Sequence, residues 1–86
     1  MKFLLLSPEK TLFDGEVESV TVPGTKAIFT IWARHAPIIT TLEKGTIVYK
    51  TANEEKQLVI ESGFAEVKNN IISICIEKVI SAEAKQ

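Results

Sequence analysis

Apolar residues in this chain occur in short runs, rich in β-branched side chains, that alternate with turn residues. Helical periodicity is absent over almost the whole length, whereas runs repeating about every 8–12 residues are typical of an all-β sandwich or barrel. We therefore predict an all-β fold, a small two-sheet β-sandwich or flattened barrel. The predicted strands are Lys2 to Leu6, Glu16 to Val22, Ala27 to Trp32, Thr46 to Thr51, Gln57 to Glu61, Gly63 to Lys68 and Ile71 to Ile76.

Proline, glycine and asparagine mark the predicted turns between these strands. Ser7-Pro8 should end the first strand, because proline cannot donate a hydrogen bond to a sheet ladder. Asp14-Gly15 is a turn dipeptide. Asn69-Asn70 suits a two-residue type I′ turn, because asparagine tolerates the left-handed conformation. Val17 interrupts the alternation of its strand, which predicts a β-bulge or a change of face.

The end of the chain is the one place where a helical turn or two fits the pattern. Residues Ile76 to Gln86 form a short and polar stretch. We expect one sandwich domain over residues 1–80, followed by a short polar C-terminal tail over residues 81–86.

Composition narrows the functional classes. Of 86 residues, 45% are hydrophobic, and ten basic against eleven acidic side chains give a net charge of −1. A near-neutral chain lacks the basic surface that nucleic acids or anionic membranes attract. The apolar run Phe3 to Leu6 is shorter than the roughly 7–15 residues of a secretory signal. The single cysteine, Cys75, excludes an internal disulfide and fits a reducing compartment.

Candidate catalytic groups are few. His35 and Cys75 are the only imidazole and thiol, and Cys75 lies in an apolar strand where a buried, inert thiol is usual. Glu16 and Glu18 share a strand face, which is more often solvated than used for acid–base chemistry. The chain contains neither of the glycine-rich motifs that bind phosphates. We expect no catalytic residue, no cofactor and no metal site.

Two segments stand out against this background. Pro23 to Phe29 is a turn that leads into a strand with apolar residues on both faces, so that strand is either covered twice or meets a partner. Trp32 to Pro37 contains the only Trp, Arg and His of the chain. Trp and Arg are enriched at interface hot spots. The alternative, equally open at this point, is that Trp32 belongs to the core and that Arg34-His35 is an ordinary polar turn.

These segments and their order resemble a known family. The chain is similar to the N-terminal β-sandwich domain of the epsilon subunit of bacterial F-type ATP synthases. The matching segments are Leu12 to Val17, Val20 to Gly24, His35-Ala36-Pro37-Ile38, Glu61 to Val67 and Asn69 to Ile76. The resemblance rests on the order and spacing of the whole set.

The resemblance implies a non-catalytic rotor subunit of the central stalk of a proton-translocating ATP synthase. Such a subunit links the gamma subunit to the membrane ring of c subunits, so that ion flow is coupled to ATP synthesis. It implies a peripheral location at the cytoplasmic face of the bacterial plasma membrane, with membrane association only through the complex. The implied ring-facing residues are Gly24, Thr25, Lys26, Ala27 and Ile28. The implied gamma-facing residues are Arg34, His35, Ala36 and Pro37.

The chain also departs from the family pattern. Members usually have glycines and often an acidic residue before the His-Ala-Pro motif, whereas Lys26 to Arg34 contains neither, and Ile28 stands at the acidic position. Apolar contact through Ile28, or a hydrogen bond from Lys26, would then replace an ion pair with the ring. Members usually continue into an inhibitory C-terminal helical hairpin, which residues 1–86 do not include.

Two rival functions remain at this stage. A stand-alone ligand- or peptide-binding β-module would use Trp32 as its aromatic platform. An enzyme, the third hypothesis, would depend on Cys75. The coupling ion, H⁺ or Na⁺, is not encoded in this chain, because the membrane ring sets it.

Overall fold

The computed structural model describes the backbone of residues 1–83 and the side chains as far as Ile80. Every regular element in this part of the chain is a strand, which confirms the all-β prediction. The strands are β1 (Lys2–Leu6), β2 (Thr11–Glu16), β3 (Ser19–Pro23), β4 (Ile28–Trp32), β5 (Ile38–Leu42), β6 (Gly45–Lys50), β7 (Glu55–Lys68) and β8 (Ile71–Glu83).

The strands form one continuous hydrogen-bonded sheet in the order β2-β1-β8-β7-β6-β3-β4, with β5 paired to β7 outside this path. All neighbours are antiparallel except β1 and β8, which are parallel. Within the described residues the sheet does not close on itself, since β2 and β4 are its end strands.

The long strands β7 and β8 fold this sheet into two layers. The first half of β7 pairs with β6 and the second half with β5. Between the halves, from Val59 to Gly63, the β7–β8 register shifts repeatedly, and β-bulges of this kind bend strands. We call the layer of β2, β1 and β5 with the adjoining halves of β7 and β8 the first sheet. The layer of β4, β3 and β6 with the other halves is the second sheet.

The hydrophobic core lies between these layers. Phe3 of β1 and Tyr49 of β6 belong to different sheets, and their ring centroids are 5.2 Å apart. The fully buried side chains alternate along their strands with exposed or half-buried ones, as expected of two facing sheets. The largest of them are Phe3, Leu5, Ile31, Ile47, Ile60, Ile72, Ile74 and Ile76.

Several sequence expectations were wrong in detail. Asp14-Gly15 does not form a turn but lies inside β2, paired with Leu4 and Phe3. The two strands predicted over 57–68 are one strand, because the bulges at its centre bend the chain without ending its pairing with β8. Ile76 to Glu83 continues β8 instead of forming helical turns. Residues 84–86 of the expected tail lie outside the described residues.

Two predictions of local geometry, a turn and a change of face, are confirmed. Asn69 and Asn70 have φ angles of 54° and 62°, as a type I′ turn requires. Val17 lies between β2 and β3 and is buried, whereas its neighbours Glu16 and Glu18 are exposed. The alternation is therefore broken because the chain leaves one sheet at this point and enters the other.

Candidate partner-binding surfaces

The loop between β3 and β4, residues 24–27, presents the first group of predicted contact residues. Thr25, Lys26, Ala27 and Ile28 are exposed, whereas Gly24 is buried. Ile28 keeps 75% of its surface accessible, more than any other large apolar side chain. Because it is so exposed beside the loop of the hairpin, the Ile28 side chain does not contribute to the hydrophobic core.

This loop is held against β5. Thr25 donates its backbone N–H to the Thr41 carbonyl over 3.1 Å, and the two threonine hydroxyls lie 3.0 Å apart. Gly24 forms an isolated antiparallel bridge with Leu42. A Cβ on Gly24 would meet the Ala27 carbonyl oxygen at 2.7 Å, so the glycine is needed for the loop to fold back so tightly. The loop is thus a fixed protrusion.

The turn between β4 and β5, residues 33–37, contains the second group. His35 donates its backbone N–H to the Trp32 carbonyl, and the Arg34 N–H donates to Oδ1 of Asn70 over 2.9 Å. Arg34 has φ of 65°, a left-handed conformation that costs a residue with a Cβ roughly 1–2 kcal/mol. The Arg34, Ala36 and Pro37 side chains are exposed and His35 is half-buried.

The two groups lie at opposite ends of β4. Ile28 begins this strand and Trp32 ends it, which separates them by about 13 Å at 3.3 Å per residue. Both side chains point away from the core, on the same face as Thr30. The interpretation of Trp32 as a core residue is therefore wrong, because 60% of its surface is exposed and Ile31 fills the buried position.

A further apolar surface lies on the outer face of the first sheet and was not predicted. Ile39 is 64% exposed and Phe64 is 43% exposed. The register places Cys75 beside Phe64, and Leu6 beside Cys75. An open depression of about 410 Å³ connects Ile39 to the 33–37 turn. It is lined by Pro37, Ile38, Ile39, Glu66, Val67 and Lys68.

The sequence contained a signal for this surface that alternation alone could not resolve. Ile38 and Ile39 are adjacent, so one of them must point outwards in a strand. The register with β7 decides which, since Ile39 pairs with exposed Glu66 and Ile38 pairs with buried Val67. The outward direction of the Phe64 side chain follows only from the pairing of β7 with strands on both of its sides.

Each of the two predicted contact groups contains one basic side chain outside the ion pairs of the described residues. The ion pairs within the described residues involve Met1, Lys2, Lys50 and Lys56, and neither Lys26 nor Arg34. These pairs are exposed on at least one side, where ion pairs contribute little stability.

The candidate catalytic groups are not brought together. Cys75 is exposed on β8, so the expectation that it is buried was wrong. His35 instead places Nδ1 2.7 Å from the Ala36 carbonyl oxygen and its ring 6.5 Å from that of Phe29. Glu16 pairs with the amino group of Met1 at 2.8 Å. Within residues 1–83, no cluster of three or more His, Cys, Asp or Glu side chains could hold a metal ion.

The part of the chain that the structure describes also contains no helix long and apolar enough to cross a membrane.

Comparison with known families gives one match over nearly the whole chain. The profile of the family described as "ATP synthase, Delta/Epsilon chain, beta-sandwich domain" matches residues 1–82. This range includes the Gly24–Leu42 bridge, the β-bulges between Val59 and Gly63, and the two predicted contact groups.

Curated relatives are bacterial proteins named ATP synthase epsilon chain. The protein from Leptospira interrogans is 43% identical over 74 residues, which are 86% of this chain and 58% of the relative. The protein from Caulobacter vibrioides is 38% identical over 82 residues, 95% of each chain. The chain therefore spans little more than half of the Leptospira relative and nearly all of the Caulobacter one.

Solved structures with the same fold come from mitochondrial ATP synthases. A chain in the Euglena gracilis OSCP/F1/c-ring structure superposes with a TM-score of 0.84 at 20% identity, covering 91% of this chain and 51% of that one. A chain in the Tetrahymena thermophila central stalk and c-ring structure gives a TM-score of 0.80 at 19% identity, covering 94% and 66%. At these identities the likeness establishes the fold.

Proposed function

The chain belongs to the ATP synthase delta/epsilon family through its β-sandwich domain, and from this premise we propose that it is a non-catalytic rotor subunit. It connects the gamma subunit of the central stalk to the membrane ring of c subunits, so that rotation of the ring reaches the catalytic head without slipping. Within this role no bond is made or broken on the subunit, and the requirement is a rigid body with two adhesive surfaces.

The observation that supports this proposal most directly is the separation of two exposed apolar sites on one rigid sandwich. Ile28 at the 24–27 loop and Ile39 beside the 33–37 turn are the two most exposed large apolar residues of the described chain. Exposed apolar patches with polar rims mark interaction sites on soluble domains. A protein that transmits torque needs two such sites, whereas a simple adaptor for one partner needs one.

We assign the ring contact to the 24–27 loop together with Ile28. The loop is clipped to β5 by the Thr25–Thr41 hydrogen bonds, so little conformational entropy is lost when it binds. Its tip offers an aliphatic side chain and one ammonium group, from Lys26. The complementary ring surface is therefore an apolar depression with a carbonyl or carboxylate at its edge.

We assign the gamma-subunit contact to Arg34, His35, Ala36 and Pro37, extended by Ile39. The depression beside Pro37 is continuous with the turn, and its polar rim is supplied by Glu66 and Lys68. An apolar centre with a polar rim is the usual anatomy of a protein–protein interface. Arg34 lies in this turn and Trp32 immediately precedes it, and both belong to the residue types enriched at hot spots.

This function places the chain at the cytoplasmic face of the bacterial plasma membrane. The near-neutral charge of −1 gives it no polybasic attraction to anionic lipid, so its association with the membrane runs through the complex.

The first experiment is a calorimetric titration of this chain with separately purified gamma subunit. We expect a one-to-one complex with a negative heat-capacity change, because apolar surface is buried. Replacing Ile39 by Asp should weaken the complex about tenfold or more, since a charge would enter the apolar centre of the interface.

The matched control is Ile80→Asp, on β8 in the second sheet. Ile80 is 44% exposed and lies away from the 33–37 turn, so the same change of charge should leave gamma affinity unaltered. Equal losses from both variants would show a nonspecific charge effect. Absence of binding by well-folded wild-type protein would refute the gamma contact.

A second candidate, a stand-alone ligand- or peptide-binding module, is favoured by one observation, the exposed indole of Trp32. It predicts that a small ligand or peptide raises the melting temperature of the isolated chain by mass action. The rotor function predicts that gamma subunit does so and that small metabolites do not.

A further inference from the structure

The 33–37 turn is fixed by only a few contacts, and one of them comes from a distant part of the chain. The His35 N–H donates to the carbonyl of Trp32, the last residue of β4, and His35 Nδ1 lies 2.7 Å from the Ala36 carbonyl oxygen, so both contacts are local in sequence. The third contact is the 2.9 Å hydrogen bond from the Arg34 N–H to Oδ1 of Asn70, across 36 residues of sequence.

Asn70 is well placed to act as an anchor. It lies in the type I′ turn that joins β7 and β8, the two longest strands. Its own carbonyl accepts the N–H of Lys2 at 3.3 Å, where β1 begins. Asn70 therefore belongs to the rigid first sheet, whereas Arg34 belongs to an exposed turn of the chain that leaves the second sheet.

Arg34 needs such an anchor because of its backbone. At φ of 65° a side chain with a Cβ is disfavoured, and a residue held there persists only when its surroundings impose the conformation. Glycine would adopt it without penalty. Here an arginine occupies the position, and the amide of this same residue receives the Asn70 hydrogen bond.

We infer that Asn70 is a positioning residue for the gamma-facing turn: its side-chain carbonyl fixes the Arg34 backbone in the left-handed conformation and so presets the direction of the Arg34 and His35 side chains. This inference rests on the proposed function. Asn70 does not itself have to touch the partner. Its effect is to remove the cost of ordering the turn at the moment of binding.

The test compares the two asparagines of one turn. Asn70→Gly removes the acceptor and preserves the positive φ, and Asn69→Gly makes the same change one residue earlier. Among the described residues, the Asn69 side chain makes no hydrogen bond to the 33–37 turn. Both variants keep residues that tolerate positive φ at the two central turn positions, and Asn70→Gly creates Asn-Gly, which type I′ turns favour, so the β7–β8 hairpin should stay folded in both. Asn70→Asp keeps an Oδ acceptor and serves as the rescue variant.

Two readouts separate positioning from a general structural role. Amide hydrogen exchange in the isolated chain should be about threefold or more faster at Arg34 in Asn70→Gly than in Asn69→Gly. Affinity for the purified gamma subunit should fall about three- to tenfold in Asn70→Gly, remain near wild type in Asn69→Gly, and be restored in Asn70→Asp.

Equal exchange rates and equal affinities in the two glycine variants would overturn the inference. If wild-type protein does not bind gamma subunit but Arg34 exchange still depends on Asn70, the proposed function fails and the positioning of the turn is supported.

Discussion

At the scale of single residues, the chain uses half of its six aromatic side chains to join the two sheets. Phe3, Phe13 and Tyr49 form a cluster in which Tyr49 lies 5.2 Å from Phe3 and 4.9 Å from Phe13, between ring centroids. Burial raises the pKa of Tyr49 above its usual value of 10.0, with opposing charge effects from Lys56, which lowers it, and Glu54, which raises it. The folded state therefore favours the neutral phenol.

This pKa shift predicts alkaline destabilisation that one substitution removes. Because the pKa is higher in the folded state, the stabilisation is fully present below pH 10 and is lost as the pH rises through the folded pKa. We expect the melting temperature of wild type to fall more than that of Tyr49→Phe between pH 9 and about 11.

Tyr49 is the only tyrosine, so its ionisation can be followed directly by ultraviolet absorbance. The two proteins differ only at residue 49, so the comparison isolates the contribution of the phenol. Parallel melting curves for the two proteins across this range would contradict the shift.

At the scale of elements, the β3–β4 hairpin shows how backbone packing creates a contact surface. Its loop folds back so tightly that a Cβ on Gly24 would lie 2.7 Å from the Ala27 carbonyl oxygen and 3.0 Å from the Phe29 ring, and the Thr25–Thr41 bonds hold it there. None of the described glycines has positive φ, so Gly24 is required for space and not for conformation.

Gly24→Ala should accordingly destabilise the domain. The new Cβ would lie 2.7 Å from a backbone oxygen that cannot move without breaking the hairpin, a strain of about 1–3 kcal/mol. Chemical unfolding measures the difference. Gly15→Ala is the control, since its Cβ would meet a side chain, the Phe13 ring at 3.3 Å, and not a backbone atom, and should cost less. Equal stabilities for the two variants would show that the loop can relax.

At the scale of the whole molecule, the proposed function requires the sandwich to act as a spacer between two contacts. The principal extents of the Cα trace are 29 × 29 × 23 Å, and the proposed ring and gamma contacts lie at opposite ends of β4. The contacts share no side chain, so substitutions in them should be energetically independent.

Ile28→Asp tests this independence. The substitution removes the apolar tip of the 24–27 loop and should weaken binding to detergent-purified c ring about tenfold, while gamma affinity stays unchanged. Ile28 is 75% exposed, so the fold tolerates the charge. Unchanged ring binding would remove Ile28 from the interface. Loss of both affinities would show that the two surfaces are coupled, and Ile39→Asp provides the reciprocal measurement.

The sequence alone was sufficient for the fold class and for the turns with strong local chemistry. The β-branched runs predicted an all-β sandwich. Asn69-Asn70 predicted its type I′ turn, because asparagine tolerates the left-handed backbone conformation that this turn requires. The ordered motifs around His35-Ala36-Pro37 identified the family. These features are local, or depend on spacing along the chain, and both are visible without coordinates.

Tertiary pairing decided the rest. Asp14-Gly15 has turn chemistry but is held in β2 by the partners that β1 provides. Trp32 and Cys75 lie in apolar surroundings in sequence but face outwards, because the register between strands and not hydropathy selects the buried face. The hydrogen bond between Arg34 and Asn70 joins residues far apart in the chain, and only folding brings the two turns to the same end of the sandwich.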